Sequence, residues 1–372
     1  MGGELFGAFP ELIAKADEIL GYSIKNLCLE DPNKELGQTQ FTQPAIFTVN
    51  ALTYYKKLLD GVGKPDYVLG HSLGEYSALL VAECFDFETG LKLVKKRGEL
   101  MSKAEGGGMA AVLNSTKEDI VAILKKNNLE SIDLANFNTP SQIVISGLKD
   151  DIARAQQYIE KEETQYIPLN TSGAFHSRYM QFAKDEFEIF LKDFEFSNPN
   201  IPVISNVTAS PYNPDNIIEN MANQIVSSVR WCESIDFIRA QGEIEFEEIG
   251  YGFVLTRMVQ KIKEELPETS VSTQSTEGMS VNETDRQEGE EEKQSVSLSE
   301  SPIRAEWMSL TAEQKVTEWN KRYPIGTRVK SSIINDDNLE TETAAMVLFG
   351  HRAAVYMKNY KGYFDLDEVQ IR

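Results

Sequence analysis

The stretch from Asp66 to Glu83, Asp-Tyr-Val-Leu-Gly-His-Ser-Leu-Gly-Glu-Tyr-Ser-Ala-Leu-Leu-Val-Ala-Glu, constrains the fold more than any other part of the chain. It reads as strand, sharp turn and helix. Tyr67, Val68 and Leu69 form a short apolar run suited to a buried parallel strand, and Leu73, Tyr76, Leu80 and Cys84 follow at helical spacing. Between them stands Gly70-His71-Ser72-Leu73-Gly74, a G-x-S-x-G nucleophile elbow. Small residues around Ser72 let the backbone turn tightly enough to lift the hydroxyl clear of a sheet. The helix that follows offers unpaired N–H groups and a positive dipole end, which would stabilise an oxyanion formed beside Ser72. Such a pattern arises by chance in roughly one chain of this length in ten. Its weight therefore comes from its placement between an apolar strand and an amphipathic helix, the context the motif needs.

At 372 residues the chain can hold two or three domains, each large enough to bury a core. The formal net charge of -21 argues against nucleic acid or an anionic membrane surface as the main partner. Cys28, Cys84 and Cys232 are odd in number, far apart and without C-x-x-C spacing. Neither a disulfide framework nor a zinc site is expected, and no metal or other cofactor. No apolar run approaches a membrane span, and no basic-then-apolar leader opens the sequence. The expectation is a cytoplasmic protein that uses no membrane.

Phe9, Leu12, Ile13, Ala16, Ile19 and Leu20 share one helical face, with Pro10 in the first turn and Gly21 at the C-cap. Thr39 to Pro44 reads as a polar loop, Pro44 opening the helix of Ile46, Phe47, Val49, Leu52 and Tyr55. After the elbow, Phe87 to Ala104 reads as a helix with Arg97 among lysines. From Gly106 a compact series follows: strand Met109–Leu113, helix Lys117–Lys126, strands Ile132–Ala135 and Gln142–Gly147, helix Lys149–Lys161 and strand Tyr166–Leu169. This β-α-β-β-α-β order is the ferredoxin-like motif. A helix through Phe190, a buried strand near Val203–Val207, a last strand and glycine turn over Phe246–Leu255, and a helix to Leu266 are expected next. Glu268 to Ser301 is poor in apolar residues and carries nine acidic and two basic residues, net -7. It should be a disordered linker that holds a third of the chain's negative charge, 7 of 21. Beyond it, a helix over Trp307–Tyr323 and strand runs at Gly326–Val329, Ala344–Phe349, Ala353–Lys358 and Tyr363–Val369 suggest a small β-rich module.

A serine hydroxyl is a weak nucleophile at neutral pH and needs a base, most often histidine. His71 adjoins Ser72, where consecutive side chains diverge, and His351 lies beyond the acidic stretch. An isolated loop histidine is ordinarily just hydrogen-bonded to its surroundings, but elimination leaves His176 as the base.

The residues assembled to this point resemble the malonyl-CoA:acyl carrier protein transacylase family, including stand-alone acyltransferases of polyketide assembly lines. The resemblance covers nearly everything from Met1 to about Leu266 and rests on four motifs: Gly70-His71-Ser72-Leu73-Gly74-Glu75, Arg97-Gly98, Asn136-Phe137-Asn138-Thr139-Pro140 and Gly173-Ala174-Phe175-His176-Ser177. It implies that Ser72 takes an acyl group from coenzyme A, with His176 as base, and passes it to the phosphopantetheine thiol of an acyl carrier protein. It also implies that a backbone carbonyl, at Gln224 here, orients the histidine. Leu73 would supply an oxyanion N–H. Arg97, an unremarkable cation on a lysine-rich face by itself, becomes the holder of the malonyl carboxylate, a task for which its planar fork suits two parallel bonds. Gln43, His71, Phe175 and Asn138 would line the acyl pocket, Phe175 resembling the bulky residue that favours malonyl over methylmalonyl. The family begins with a strand and a Gly-Gln-Gly-Ser-Gln loop that gives a second oxyanion donor. This sequence starts just beyond that loop, so an upstream start, with Met1 internal, is expected.

The expected architecture is α/β: an α/β-hydrolase-like large subdomain (1–104 and 172–266) with an inserted ferredoxin-like small subdomain (105–171). An acidic disordered linker (267–302) and an accessory module (303–372) complete it. The partners implied are malonyl-CoA and an acyl carrier protein, with the chain a monomer. Two other readings stay open: an acyl hydrolase that clears stalled carrier proteins, and a non-catalytic docking protein. Arg97 discriminates against the first, because broad acyl tolerance gains nothing from a buried cation. The intact Ser72, His176 and Arg97 set argues against the second.

Overall fold

The computed structural model describes residues 1–266, 307, 310–331, 339–348, 352–358, 363–366 and 369–371. The chain divides into two compact units, Met1–Glu268 and Thr269–Arg372. The stretch 267–302, expected as an acidic disordered linker, lies outside the described residues, as does His351.

The first unit opens on helices α1 (Leu5–Ala8), α2 (Pro10–Leu20), α3 (Ile24–Leu29) and α4 (Thr39–Leu59). Strand β1 (Val68–Leu69), the elbow, α5 (Gly74–Val81) and α6 (Phe87–Ser102) follow. In α2, Pro10 lies in the first turn and Gly21 caps the end at φ 81°, its N–H donating to the Asp17 carbonyl. The buried face of that helix is Ile13, Ala16 and Leu20.

Helix α4 departs from the expectation of a loop before Pro44: it starts at Thr39 and contains Pro44. Proline inside a helix removes one i→i−4 bond, a loss that packing must offset. Here α6 crosses the first turn of α4 so closely that a Cβ on Gly98 would lie 3.0 Å from both Gln40 Cα and Thr39 O. Thr42 Oγ1 also donates to the Leu36 and Gln38 carbonyls, fastening the same turn. Gly98→Ala should therefore cost about 1–3 kcal/mol, as overpacking against backbone usually does. Thermal melting checks this, and an unchanged midpoint would mean the two helices separate at no cost.

The middle of the unit carries β2 (Gly107–Leu113), α7 (Lys117–Lys126), β3 (Asp133–Thr139), β4 (Gln142–Leu148), α8 (Lys149–Ile159) and β5 (Gln165–Leu169). The four strands form one antiparallel sheet in the order β3-β4-β2-β5. One face buries Ala110, Val112, Ile143 and Ile145 with Ile120 and Leu124 of α7 and Ile152 of α8. On the other lie Met109, Ala111, Ala135 and Val144, against which Phe175 packs. Two backbone bonds tie β3 to Val229: Phe137 N–H to the Val229 carbonyl at 2.9 Å, and Val229 N–H to the Ala135 carbonyl at 2.8 Å.

The remainder supplies α9 (Gln181–Leu191), β6 (Val203–Ile204), α10 (Ile217–Asn223), α11 (Trp231–Arg239) and α12 (Val254–Glu265). Strands β1 and β6 pair in parallel, Val68 with Val203 and Leu69 with Ile204. The last strand expected over Phe246–Leu255 is not formed. Phe246 and Leu255 do pack against Val229, Trp231 and Ile235. The segment between them pairs with no strand among the described residues, so burial of its apolar ends leaves it a loop.

In the second unit the helix Ala312–Arg322 starts later than Trp307, because Thr311 and Gln314 form a capping box at its N-terminus. Strands β7 (Arg328–Ser331) and β8 (Leu339–Glu340) join β12 (Val369–Ile371), while β9 (Met346–Leu348), β10 (Arg352–Tyr356) and β11 (Tyr363–Asp365) form a second sheet. The run Tyr363–Val369, expected as one strand, is divided between the two sheets. Leu366 and Val369 both reach the core of Trp319, Val329 and Val355, which a single straight strand could not arrange for residues three apart. No helix among the described residues is long and apolar enough to cross a membrane.

Candidate active site

Strand β1 ends at Leu69, and the chain turns through Gly70, His71 and Ser72 into α5. A Cβ on Gly70 would lie 1.9 Å from the backbone carbon of Gly74, so only glycine fits there. Ser72 adopts φ 51°, a left-handed conformation that costs a non-glycine residue about 1–3 kcal/mol and persists only where its surroundings enforce it. The reward is the placement of Ser72 Oγ above the start of α5, beside the Leu73 N–H, which makes no hydrogen bond among the described residues.

His176 sits in the loop between β5 and α9, at φ 58° and 5% exposed. Its Nδ1 lies 2.9 Å from the Gln224 carbonyl. A carbonyl can only accept, so Nδ1 carries the proton and Nε2 is left bare. That nitrogen stands 2.7 Å from Ser72 Oγ, within reach of the hydroxyl proton. Burial, reinforced by the Arg97 charge and opposed by the Gln224 carbonyl, pushes the His176 pKa down to about 3. The imidazole is neutral at physiological pH, the form a base requires.

Arg97 reaches the same point from α6 and is 1% exposed. Its Nη2 donates to Ser72 Oγ at 3.1 Å and to Gln224 Oε1 at 2.9 Å, and its Nη1 donates to Gln43 Oε1 at 2.7 Å. Its guanidinium carbon stands 5.5 Å from the centre of the Tyr76 ring. Nε is buried without a partner, and among the described residues Arg97 forms no ion pair. Burial lowers its pKa, with Tyr76 and Glu75 opposing. A buried cation held only by neutral acceptors and a ring retains its demand for an anion.

The other expected residues fall into two groups. Gln43 and Gln224 belong to the core of the site. Gln43 Nε2 donates to Thr39 Oγ1 at 2.8 Å, which turns Oε1 toward Arg97 and depends on the early start of α4. Gln224 meets His176 through its backbone carbonyl, as the resemblance implies, but its side chain also accepts from Arg97 and donates from Nε2 to the Ser72 carbonyl at 2.9 Å. One residue thereby links the side chains of His176 and Arg97 to the backbone of Ser72. His71 and Asn138 form a second group, with His71 Nε2 donating to Asn138 Oδ1 at 2.8 Å and the His71 ring 5.7 Å from that of Trp231. Phe175 lies between the large core and the small sheet.

Sequence reasoning did not find Asn206, which follows β6, nor the roles of Glu75 and Tyr212. Asn206 Oδ1 accepts from the Ser72 N–H at 2.7 Å, and Glu75 is 1% exposed at the start of α5. The available signal was a polar pair, Ser205-Asn206, at the carboxyl end of an apolar parallel strand, where α/β sheets build their sites.

A serine with a bare imidazole nitrogen at one side, a guanidinium at the other and a helix N-terminus beneath is arranged for acyl transfer. Comparison with known proteins agrees. The family model described as the acyl transferase domain matches residues 1–297. The polyketide biosynthesis malonyl CoA-acyl carrier protein transacylase PksC of Bacillus subtilis strain 168 is 56% identical over 267 residues, which are 71% of this chain and 93% of that protein. The crystal structure of malonyl CoA-acyl carrier protein transacylase from Burkholderia pseudomallei superposes with a TM-score of 0.71 at 52% identity, over 72% of this chain and 94% of that one. A type II polyketide acyl carrier protein in complex with its malonyl-transacylase, PlMCAT:AntF, gives a TM-score of 0.67 at 33% identity, over 71% of this chain and 88% of that one. The chain belongs to the acyl transferase domain family, among its malonyl CoA-acyl carrier protein transacylases.

Proposed function

We propose that this protein transfers a malonyl group from malonyl-CoA to the phosphopantetheine thiol of an acyl carrier protein through a malonyl ester on Ser72. The observation that carries the reading is Arg97, buried, without an ion pair among the described residues and 3.1 Å from Ser72 Oγ. In the first half-reaction Ser72 Oγ attacks the thioester carbonyl and gives its proton to His176 Nε2. The Leu73 N–H donates to the oxyanion, the C–S bond breaks, and the proton passes to the departing CoA sulfur. In the second half-reaction His176 Nε2 takes the proton of the carrier thiol as its sulfur attacks the ester carbonyl; the C–O bond to Ser72 then breaks and His176 returns the proton to Oγ. Gln224 orients His176 through its carbonyl, Arg97 pairs with the malonyl carboxylate, and Gln43, His71, Phe175 and Asn138 border the acyl group.

The same reading assigns an α/β-hydrolase-like subdomain to 1–104 and 172–266 and a ferredoxin-like one to 105–171, supported by the sheet order β3-β4-β2-β5. It assigns a linker to 267–302 and an accessory module to 303–372. The protein acts as a cytoplasmic monomer that feeds fatty-acid, polyketide or hybrid lipopeptide synthesis, with the polyketide names of its relatives favouring the second.

Incubation with malonyl-CoA followed by holo acyl carrier protein tests this. Intact-mass measurement should find a malonyl adduct on the enzyme, then on the carrier. Release of malonate to water without carrier loading would make the protein a hydrolase. A folded enzyme that takes up no adduct would end the transferase reading.

A further inference from the structure

The elbow serine is held by a second set of residues that the transfer chemistry does not use. Asn206 spans the turn with both ends of its side-chain amide: Oδ1 accepts from the Ser72 N–H at 2.7 Å, and Nδ2 donates to the Gly70 carbonyl at 2.7 Å. Its own backbone is fastened as well. The Asn206 N–H donates to Glu75 Oε2 at 2.8 Å, and its carbonyl accepts from the Arg230 N–H at 3.0 Å. The other Glu75 oxygen accepts from the Tyr212 hydroxyl. All three side chains are buried, Asn206 and Glu75 at 1% exposure and Tyr212 at 6%.

We infer that Asn206 is a positioning residue for the nucleophile, with Glu75 and Tyr212 as its support, an inference that rests on the reading of Ser72 as the acylated group. The physical need is the left-handed φ of Ser72. If this residue relaxed to an extended conformation, its Cα–Cβ bond would swing and carry Oγ away from His176 Nε2, while the Leu73 N–H turned with the following peptide. The Asn206 amide opposes that rotation because it grips the groups on either side of His71 at once. Glu75 extends the grip to the first turn of α5, so strand end, turn and helix start move as one body. Burial raises the Glu75 pKa to about 7, and the hydrogen bonds from Tyr212 and Asn206 oppose that rise.

The experiment measures the rate at which Ser72 is labelled by a small fluorophosphonate. In this reaction the Ser72 Oγ–P bond forms, fluoride leaves with the bonding pair, and the hydroxyl proton passes to His176. The reagent needs a poised serine and base but no malonyl carboxylate. Asn206→Ala should label on the order of 10- to 100-fold more slowly than wild type, the scale of a misplacement near 1 Å. With malonyl-CoA the loss should appear in kcat, while KM moves by less than about threefold, since no substrate contact is removed. Tyr212→Phe deletes only a hydroxyl three hydrogen bonds from the serine and should slow labelling by a smaller factor, also without a KM change. A folded Asn206→Ala enzyme labelled at the wild-type rate overturns the inference. If that variant does not melt cooperatively, Tyr212→Phe decides, and a wild-type rate there overturns it equally. Wild-type protein that resists the reagent overturns it too. Normal labelling that slows as expected, in a protein that refuses malonyl-CoA, would instead end the malonyl reading and leave the inference standing.

Discussion

Ser72→Ala should abolish the malonyl adduct and lower transfer on the order of 10⁴-fold or more, the usual result when a nucleophile that works with its base is removed. His176→Ala should come close to the same floor, because the two groups act as one unit. Intact mass reads the first result and carrier loading the second. The Ser72 hydroxyl contributes two hydrogen bonds, to His176 and from Arg97, while the Asn206 and Gln224 side chains hold the turn by its backbone groups, which alanine keeps, so melting should change little. An adduct that persists in Ser72→Ala would place the acyl group elsewhere.

The pH dependence follows from the same imidazole. Its pKa lies near 3, against an ordinary 6.5, because burial and the Arg97 charge disfavour the cation. The acylation rate should therefore hold from pH 8 down to about 5, with no step near 6.5. A midpoint near 6.5 would show an imidazole in open solvent. For stability, the unfolded chain binds a proton between 6.5 and about 3 that the folded chain does not. The His176 contribution is thus whole above pH 6.5 and lost as pH falls toward 3. Glu75 acts in the opposite sense: raised from 4.5 to about 7, it contributes fully below 4.5 and loses that contribution as pH rises through 7.

Arg97→Ala should cost malonyl loading about 3 kcal/mol or more, a fall of roughly 10²- to 10³-fold, as expected when a buried charge-assisted pair loses one member. Acetyl loading should fall far less, having no carboxylate to offer. The comparison of the two acyl groups matters because the substitution also removes bonds to Gln43, Gln224 and Ser72. Those losses burden both substrates alike. Equal losses would therefore assign Arg97 to support of the site alone. Arg97→Lys should not restore malonyl loading, since an ammonium cannot reach Gln43, Gln224 and a carboxylate from one planar fork.

Much of the site was legible because its parts announce themselves locally. A nucleophile elbow is a run of five residues, and its glycine requirement is visible at Gly70, where any Cβ would strike Gly74. His176 was reachable by elimination among three histidines. The family resemblance marked Arg97, Gln43, His71, Phe175, Asn138 and the Gln224 carbonyl. The bond from Arg97 to the Gln224 side chain was not legible, since nothing local distinguishes a glutamine that bridges from one that faces water. Asn206 was missed for the same reason: it lies 134 positions from the serine it holds.

The sequence by itself determined the helical faces, the order of elements from β2 to β5 and the turn at Ser72, all set by periodicity or by sterics within a few residues. Only the tertiary structure decided where elements begin, and which of them exist. Pro44 ended up inside α4 because Gly98 lets α6 pack on the turn before it. Phe246 to Phe253 stayed a loop, running into α12 at Val254, because a strand needs a neighbour as well as an apolar pattern. Tyr363–Val369 split because two sheets shared its residues. The electrostatic character of the site belongs to the same class. An arginine that wants an anion and a histidine that rests as the neutral imidazole are products of burial, and burial is settled by residues far apart in the chain.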